Sequence, residues 1–209
     1  MKIAILTSPN QWFISYVHLV KSELGISDVY MDHHDIDKAY DIMFVISYHS
    51  IIKDDFIKKN KHNIVIHESA LPKGRGWAPL FWQILEGKKD ITFSLIEVDS
   101  KLDAGNIYFQ EILTLSGFEL NSEIRMKQVR LTIQMCKRFV ELYPKLPAST
   151  KQTGEPTFYP KRTPLDSELS VHKSIFEQFD LLRIVDNENY PAFFMLNGRK
   201  YLLKIYQDE

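Results

Sequence analysis

Short apolar runs and longer amphipathic stretches alternate along the first half of the chain. The apolar runs are rich in β-branched residues and too short for helices, so they predict buried strands of the kind found in parallel sheets. Between them, the stretches 12–24 and 53–60 have the spacing and charge of helices. The predicted strands are 2–7, 29–31, 41–47 and the run that ends at His67.

The second half of the chain continues with elements of the same two kinds. An aromatic-rich helix is predicted at 78–85, and two strands with partial alternation are predicted at 92–98 and 107–115. A long helix with one buried stripe follows from about Asn121 to the residue before Pro144. This order of elements predicts an α/β fold, in which a doubly wound, mostly parallel sheet has helices on both sides.

The chain changes character after this long helix. The following proline-rich segment indicates an ordered surface excursion, in which Phe158 is expected to be buried. Near the end, Asn197-Gly198 separates two apolar runs, which is the strongest local signal for a β-hairpin. We therefore predict a main domain at 1–143 and a C-terminal extension at 144–209 that contains the proline-rich excursion and the hairpin.

Positive and negative charges nearly balance. The 209 residues include 26 Lys and Arg against 27 Asp and Glu, a net charge of −1. Because there is no global basic field, a small molecule is a better expected partner than a nucleic acid or an anionic membrane. The single cysteine, Cys136, cannot form an internal disulfide, and the apolar run at the N-terminus is too short for a signal peptide or a spanning helix. We expect a cytoplasmic protein.

Two ionisable residues occupy positions where a sheet commonly binds ligands. His67 ends an apolar strand and leads into a Pro/Gly/Arg loop, and Asp103 lies between two predicted strands. Ligands of open α/β sheets bind beyond the carboxyl ends of the strands. A carboxylate beside a histidine orients the ring and stabilises its charged form, so this pair is suited to moving protons. The alternative is a hydrogen-bonded structural histidine and an ordinary Asp-Ala-Gly turn.

A wider pattern surrounds these two residues. His67 begins the string H-E-S-A-L-P, after which come Arg75-Gly76, a proline, a glycine and a threonine, and the pattern ends in L-D-A-G-N-I around Asp103. This order and spacing resembles the signature of the folate-dependent formyltransferase family. The resemblance extends more weakly to the end of the long helix, and it implies that 1–143 is a catalytic domain with the formyltransferase fold.

The resemblance also implies an activity and a set of site residues. Members of the family transfer a formyl group from 10-formyltetrahydrofolate to an amine. By resemblance, His67 is the base and proton shuttle, and Asp103 holds it or an associated water. The main chain around Tyr48, His49 and Ile51 corresponds to the slot for the pterin ring, although His49 is equally well explained as a solvated loop residue.

One position departs from the family pattern. The family usually places an asparagine two residues before the histidine, where it helps to bind the oxyanion, and here that residue is Val65. Asn63 lies four residues before His67, about 13 Å along a strand at about 3.3 Å per residue, too far to share one oxygen. The alternative donors are a backbone N–H group, a protonated His67, Ser69 or Asn106.

Three kinds of acceptor are familiar for the family, and the sequence favours one. Methionyl-tRNA formyltransferases carry a further C-terminal domain and a basic surface, which this length and charge do not fit. Glycinamide ribonucleotide formyltransferases have a glycine-rich phosphate loop after the first strand, whereas 7–12 contains no glycine. Sugar-nucleotide N-formyltransferases have a short C-terminal extension with segments similar to 161–169, 179–183 and 190–194.

The string that runs from His67 to Trp77 resembles members that act in pathways such as pseudaminic acid synthesis, which serve cell-surface polysaccharides. This implies a UDP-linked 4-amino sugar as acceptor, and a dTDP-linked sugar is the alternative. Cationic side chains are expected to bind the diphosphate and aromatic ones to stack on the base or sugar, although a solvated surface explains each of them equally well. These residues are Lys73, Arg75, Lys161 and Arg162 for the diphosphate, and Trp77 and Tyr159 for stacking.

Other interpretations stay open. They are a glycinamide-ribonucleotide-type formyltransferase, a non-catalytic folate- or nucleotide-binding protein, and a metal-dependent hydrolase. The run from Asp32 to Asp35 has metal-compatible side chains, but adjacent residues rarely converge on one ion, so we predict no metal site. Trp82 is expected in the core. A homodimer through the C-terminal hairpin is compatible with the sequence.

Overall fold

The computed structural model describes residues 1–208 and has a six-stranded central sheet flanked by helices. The strands are β1 (Ile3–Leu6), β2 (Asp28–Tyr30), β3 (Ile42–Val45), β4 (His62–His67), β5 (Arg75–Gly76), β6 (Asp90–Glu97), β7 (Ile107–Thr114), β8 (Phe158–Tyr159), β9 (Ala192–Leu196) and β10 (Arg199–Leu203). The helices are α1 (Val17–Leu24), α2 (Asp54–Ile57), α3 (Pro79–Leu85), α4 (Asn121–Leu142) and α5 (Phe179–Ile184). A 3-10 turn, Trp12–Tyr16, replaces the first part of the helix predicted at 12–24.

The strand order in the central sheet is β2-β1-β3-β4-β6-β7. The first four strands are parallel, whereas β6 is antiparallel to both of its neighbours. The connection from β4 to β6 contains the two-residue strand β5 and the short helix α3, and it stays beyond the carboxyl end of β4, so β6 enters the sheet from that end. A mostly parallel sheet is confirmed, and β6 is its one reversed strand.

Both faces of the central strands are buried, as their continuous apolar sequence requires. In β1, Ile5 faces the layer that contains α1, α3 and α4, while Ala4 and Leu6 face the layer that contains Phe56 of α2. None of the helices within residues 1–208 combines the length and the apolar character that a bilayer crossing demands. The three-layer α/β architecture predicted from the sequence is confirmed.

The C-terminal hairpin is also confirmed. β9 and β10 pair in an antiparallel register that is closed by Asn197 and Gly198, both with positive φ (48° and 73°). A two-residue turn with positive φ at both positions matches the right-handed twist of the strands. Outward-facing side chains such as Leu202 remain 61% exposed, and a homodimer through this hairpin stays a prediction.

A buried arginine connects the C-terminal extension to the start of α4. Arg183 of α5 is 1% exposed, and its Nε donates to Asp180 at 2.7 Å while its Nη1 lies 3.7 Å from Glu119. Burial alone raises the pKa of Glu119, but the Lys127 ammonium and nearby backbone N–H groups outweigh it and hold this pKa below its ordinary value. Arg183 therefore lies between two carboxylates, one of them buried, and the division of the chain at 143/144 stays a prediction.

We expect Arg183→Ala to lower the free energy of unfolding by about 3 kcal/mol, because it leaves a buried carboxylate with one cation fewer. Arg130→Ala is a matched control, since Arg130 is an exposed arginine on α4, and we expect it to change stability by less than about 0.5 kcal/mol. Urea unfolding followed by circular dichroism measures both variants. Equal stabilities for the two variants would show that the buried arginine does not contribute.

Two aromatic residues lie in places that the sequence did not predict. Phe158 is 59% exposed rather than buried, because β8 is only two residues long and pairs with β5 at the surface. Trp82 is only partly buried rather than in the core: its Nε1 donates to the carbonyl of Pro160 and its ring stacks on Tyr159. Both predictions were wrong, because Phe158 faces solvent from its short strand and Trp82 packs on the proline-rich excursion instead of the main core.

Candidate active site

A cleft of about 1860 Å³ opens beyond the carboxyl ends of β3 and β4. Its walls include the loop after β3, the end of β4 at His67, the start of α3 and the 98–103 segment after β6. Residues of α4 and of the C-terminal extension close the far side. The cleft therefore lies where the sequence predicted ligand binding, and it is large enough for two small molecules.

His67 is fixed in one orientation at the end of β4. The side chain is 5% exposed and lines the cleft. Its Nε2 lies 2.8 Å from the carbonyl oxygen of Gly74, which can only accept a hydrogen bond, so Nε2 carries a proton. Nδ1 lies 3.7 Å from Oδ1 of Asp103. Nδ1 is thus the ring atom that can take up a proton, and a carboxylate stands beside it.

The carboxyl oxygen of Asp103 that does not face His67 is bound by the main chain. Its Oδ2 accepts a hydrogen bond from the Gly76 N–H at 2.8 Å, which leaves Oδ1 directed at His67. The residue has φ of 49°, a left-handed conformation that aspartate adopts more readily than most residues. The sequence prediction that His67 and Asp103 come together agrees with this geometry, and their catalytic roles stay a proposal.

Both site loops are held by a stretch of the proline-rich excursion, residues 150–159, which we call the clamp. Thr157 accepts from the Gly74 N–H through Oγ1 at 2.8 Å and from the Arg75 N–H through its carbonyl at 2.9 Å. Gln152 donates from Nε2 to the carbonyls of Asp103 (2.8 Å) and Gly105 (2.9 Å). One segment therefore positions the loop that follows His67 and the loop that carries Asp103.

The structure narrows the choice of oxyanion donor. Val65 lines the cleft. Asn63 is buried and bonded to Asn60 and to the main chain, so it supports the fold. Asn106 donates to Ser149, and Ser69 is 2% exposed and lies outside the cleft wall. Of the side chains considered from the sequence, only His67 remains, together with backbone N–H groups.

The three residues assigned by resemblance to the pterin slot all line the cleft. Tyr48 contacts Nδ1 of His33 through its hydroxyl at 2.5 Å, while the Ile51 side chain is 83% exposed. The ring of His49 packs against Trp77 at a centroid distance of 4.7 Å. Burial lowers the pKa of His49, and the nearby Lys161 ammonium lowers it further, so this histidine is neutral near pH 7.

The predicted acceptor-binding residues divide into two groups. Trp77, Lys161 and Arg162 line the cleft, and the Lys161 ammonium lies 4.9 Å from the centroid of the Trp77 ring. The structure does not bring the other three to the cleft. Lys73 is exposed outside it, Arg75 donates to Gln152 at 2.6 Å, and Tyr159 donates to Glu86 at 2.6 Å while stacking on Trp82.

Sequence reasoning missed two residues that the structure brings to the site. Gln152 could not be predicted, because the main-chain carbonyls that accept its hydrogen bonds lie far from it in the sequence. Arg125 lines the cleft from the first turns of α4, where it precedes Gln128 by three residues. Arg125 and Gln128 are three residues apart, so they share one face of the helix, next to the buried Ile124. This spacing could have indicated from the sequence that a polar stripe of α4 faces the protein.

The acidic and histidine run near β2 is more compact than expected. Asp32, His33 and His34 each place one possible ligand atom within 4.8 Å of the others. However, Nδ1 of His33 is already engaged by the Tyr48 hydroxyl, and Asp32 and His34 are exposed. The prediction of no metal site stays a prediction.

The fold and the site define an α/β protein with a histidine beside an aspartate in a cleft at the carboxyl edge of its sheet. The model of the family described as "Formyl transferase" matches residues 27–130, about half of the chain. The matched region contains His67, Asp103 and the loop after β3. The family that the sequence motif suggested is thereby confirmed.

Individual relatives include two kinds of formyltransferase. The methionyl-tRNA formyltransferase of Lactobacillus acidophilus is 26% identical over 183 residues, which cover 83% of this chain and 55% of that protein, so this chain spans about half of its length. The structure of the methionyl-tRNA formyltransferase from Clostridium thermocellum has a TM-score of 0.80 at 24% identity and covers 100% of this chain and 94% of that chain. A 4-N formyltransferase from Francisella tularensis has a TM-score of 0.68 at 19% identity, with 100% and 98% covered. The structural likenesses establish the fold.

Proposed function

We propose that this protein is a folate-dependent N-formyltransferase that acts on a nucleotide-linked amino sugar. The formyl donor is 10-formyltetrahydrofolate, and the acceptor is a UDP-linked 4-amino-4,6-dideoxy sugar of the kind used for pseudaminic acid and cell-surface polysaccharides. The observation that carries the proposal is the 3.7 Å approach of His67 Nδ1 to Asp103 Oδ1 inside a cleft that accommodates two substrates.

The loop after β3 fits the donor. In residues 1–208, the backbone N–H groups of Tyr48, Ser50 and Ile51 have no acceptor, and all three residues line the cleft. A pterin edge offers alternating donors and acceptors, so free main-chain groups in an apolar slot suit it. Val65 and Ile96 supply apolar surface beside the slot. This main-chain recognition explains why the slot has little side-chain signature.

The donor supplies an activated formyl carbon and a leaving nitrogen. The acceptor amine must lose a proton as its nitrogen bonds to that carbon, and Nδ1 of His67 is placed to accept it. Asp103 stabilises the resulting imidazolium, and Gly74 keeps the ring in position through Nε2. The imidazolium can then return the proton to the leaving nitrogen as the old carbon–nitrogen bond breaks. With Val65 in place of an amide, the same imidazolium also supplies positive charge to stabilise the formyl oxygen.

We expect Asp103→Asn to lower kcat by about 100-fold, because the neutral amide cannot stabilise the imidazolium although it can keep the hydrogen bond from Gly76. KM for the donor should change little, since the slot is formed by another loop. Asp99→Asn is the matched control: Asp99 lines the same cleft and bonds only to its neighbours Ser100 and Lys101. Equal kcat values for the two variants would remove Asp103 from the mechanism.

Charge and architecture support the sugar nucleotide as acceptor. Lys161 and Arg162 reach the cleft from the segment that resembles sugar-nucleotide enzymes, and the net charge of −1 provides no field for tRNA. The superposition with the Francisella 4-N formyltransferase spans nearly both chains. Methionyl-tRNA is the second candidate, because the methionyl-tRNA formyltransferases are similar in sequence and structure.

Mass spectrometry of an acceptor assay tests the proposal. Purified protein is incubated with 10-formyltetrahydrofolate and, separately, with UDP- and dTDP-linked 3-amino and 4-amino sugars, glycinamide ribonucleotide and methionyl-tRNA. We expect a formylated product from one UDP-linked 4-amino sugar. A product from methionyl-tRNA alone would establish the second candidate, and folate binding without any product would favour the non-catalytic interpretation.

A further inference from the structure

Arg125 lines the cleft and has an unusual environment there. Its guanidinium carbon lies 4.3 Å from the centroid of the Trp12 ring and 4.1 Å from that of Phe81. Burial lowers the pKa of Arg125 to about 10, so the group is still charged at neutral pH. Two rings this close exclude water from part of the guanidinium surface, and its N–H donors, which lie in the guanidinium plane, make its hydrogen bonds.

Most of these in-plane donors have no protein partner. Nη1 donates to Oε1 of Gln128 at 2.8 Å, and the described residues provide no salt bridge to Arg125. The carboxylates of Glu68 and Asp186 are near enough to raise the pKa of Arg125, but Glu68 already accepts from Gln128 at 2.6 Å and Asp186 accepts from the N–H groups of its own loop. A partly desolvated guanidinium is therefore left with free donors that line the cleft.

Arg162 presents a second cation of the same kind. It lines the same cleft, and its charge contributes to the lowered pKa of Arg125. Nη2 donates to the carbonyl of Asp166 at 3.0 Å, while the buried Nε has no partner in residues 1–208. Burial likewise lowers the pKa of Arg162. Two repelling, partly desolvated guanidinium groups are stable together when an anion lies between them.

We infer that Arg125 and Arg162 form an anion site that binds the diphosphate of the acceptor nucleotide. Arginine side chains with fixed planes recognise phosphate through paired N–H donors, and a diphosphate provides enough oxygen atoms for both residues. The inference rests on the proposed function, since it identifies the part of the cleft that holds the acceptor. Lys161, whose ammonium lies over the Trp77 ring, adds a third positive charge to the lining of the cleft.

The position of this site suits transfer of the formyl group. Gln128 connects Arg125 to Glu68, which is the residue next to His67 in the chain. The anion site is therefore tied to the end of β4, so a sugar joined to the diphosphate can extend its amine towards His67. The pterin slot is formed by other elements, so donor and acceptor approach the histidine from separate parts of the cleft.

Nucleotide binding tests the inference without any turnover. Isothermal titration calorimetry of the full chain with UDP, dTDP and inorganic pyrophosphate should show binding of at least one nucleotide. Arg125→Met keeps the side-chain volume between the two rings, and Arg162→Gln keeps one hydrogen-bond donor. We expect each variant to weaken that binding by about tenfold or more, because each removes a charge-assisted contact. Arg130→Gln is the matched control on α4, and it should leave the affinity unchanged.

The outcomes separate this inference from the proposed function. Unchanged affinity in both folded variants, or no binding of any of the three probes to the wild type, would overturn the inference even if formyl transfer to another amine is found. Arginine-dependent UDP binding supports the inference even if no amino sugar is formylated. Binding of methionyl-tRNA that depends on these arginines, without UDP binding, would also overturn it. Thermal unfolding of each variant confirms that the fold is intact.

Discussion

His67→Asn is expected to reduce formyl transfer by about 1,000-fold while the protein stays folded. Asparagine cannot accept and return a proton near neutral pH, and its amide ends at the position of Nδ1, so it also loses the hydrogen bond that Nε2 makes to the Gly74 carbonyl. Because Val65 provides no amide for the oxyanion, the variant also loses the imidazolium charge that we propose stabilises the formyl oxygen. Single-turnover kinetics with a saturating donor isolates the chemical step from binding.

His172→Asn is the matched control for this variant. His172 is exposed in the C-terminal extension, and only its backbone N–H makes a hydrogen bond. We expect wild-type rates from the control and an unchanged melting temperature for both variants. More than a tenth of the wild-type rate in His67→Asn would show that another group moves the proton.

Gly105→Ala is expected to prevent stable folding, with a loss of more than about 4 kcal/mol in the free energy of unfolding. A Cβ atom at this position would lie 1.6 Å from the carbonyl oxygen of Glu97, so the 98–106 segment could not stay against the end of β6. Gly105, which belongs to the motif around Asp103, is thus required because no side chain fits at this position. Soluble yield and urea unfolding measure the effect.

Gly25→Ala provides the contrast for this prediction. Gly25 has φ of 62°, and a Cβ atom there would meet nothing within 4 Å. Only the left-handed conformation is then penalised, by about 1 kcal/mol. A similar loss in the two variants would mean that the segment after β6 moves aside easily and that the close approach to Glu97 is unimportant.

The sequence predicted the central sheet and the pairing of His67 with Asp103, because both depend on local patterns. Apolar runs identified the strands, and the rule that ligands bind beyond their carboxyl ends placed His67 correctly in the cleft. The Asn197-Gly198 turn identified the hairpin in the same way. The reversed direction of β6 was not predicted, because it depends on the path of the chain through α3 rather than on the composition of the strand.

What escaped prediction depends on contacts between distant segments. Arg125 becomes a candidate binding residue only when Trp12 and Phe81 are placed on either side of it. Conversely, Lys73 and Arg75 belong to the same loop as the site motif, yet the loop turns them away from the cleft. The sequence shows which charged residues a loop contains, whereas the tertiary fold sets the direction of each side chain.

The clamp has a consequence for the order in which the protein becomes functional during synthesis. All strands of the central sheet are complete by Thr114, whereas residues 150–159 supply the hydrogen bonds that fix the loops of His67 and Asp103. A nascent chain can therefore assemble its sheet while the loops that follow His67 and carry Asp103 still lack the hydrogen bonds from the clamp. The site reaches its working geometry only when the clamp has left the ribosome, so the chain passes through a stage that is folded but not yet competent.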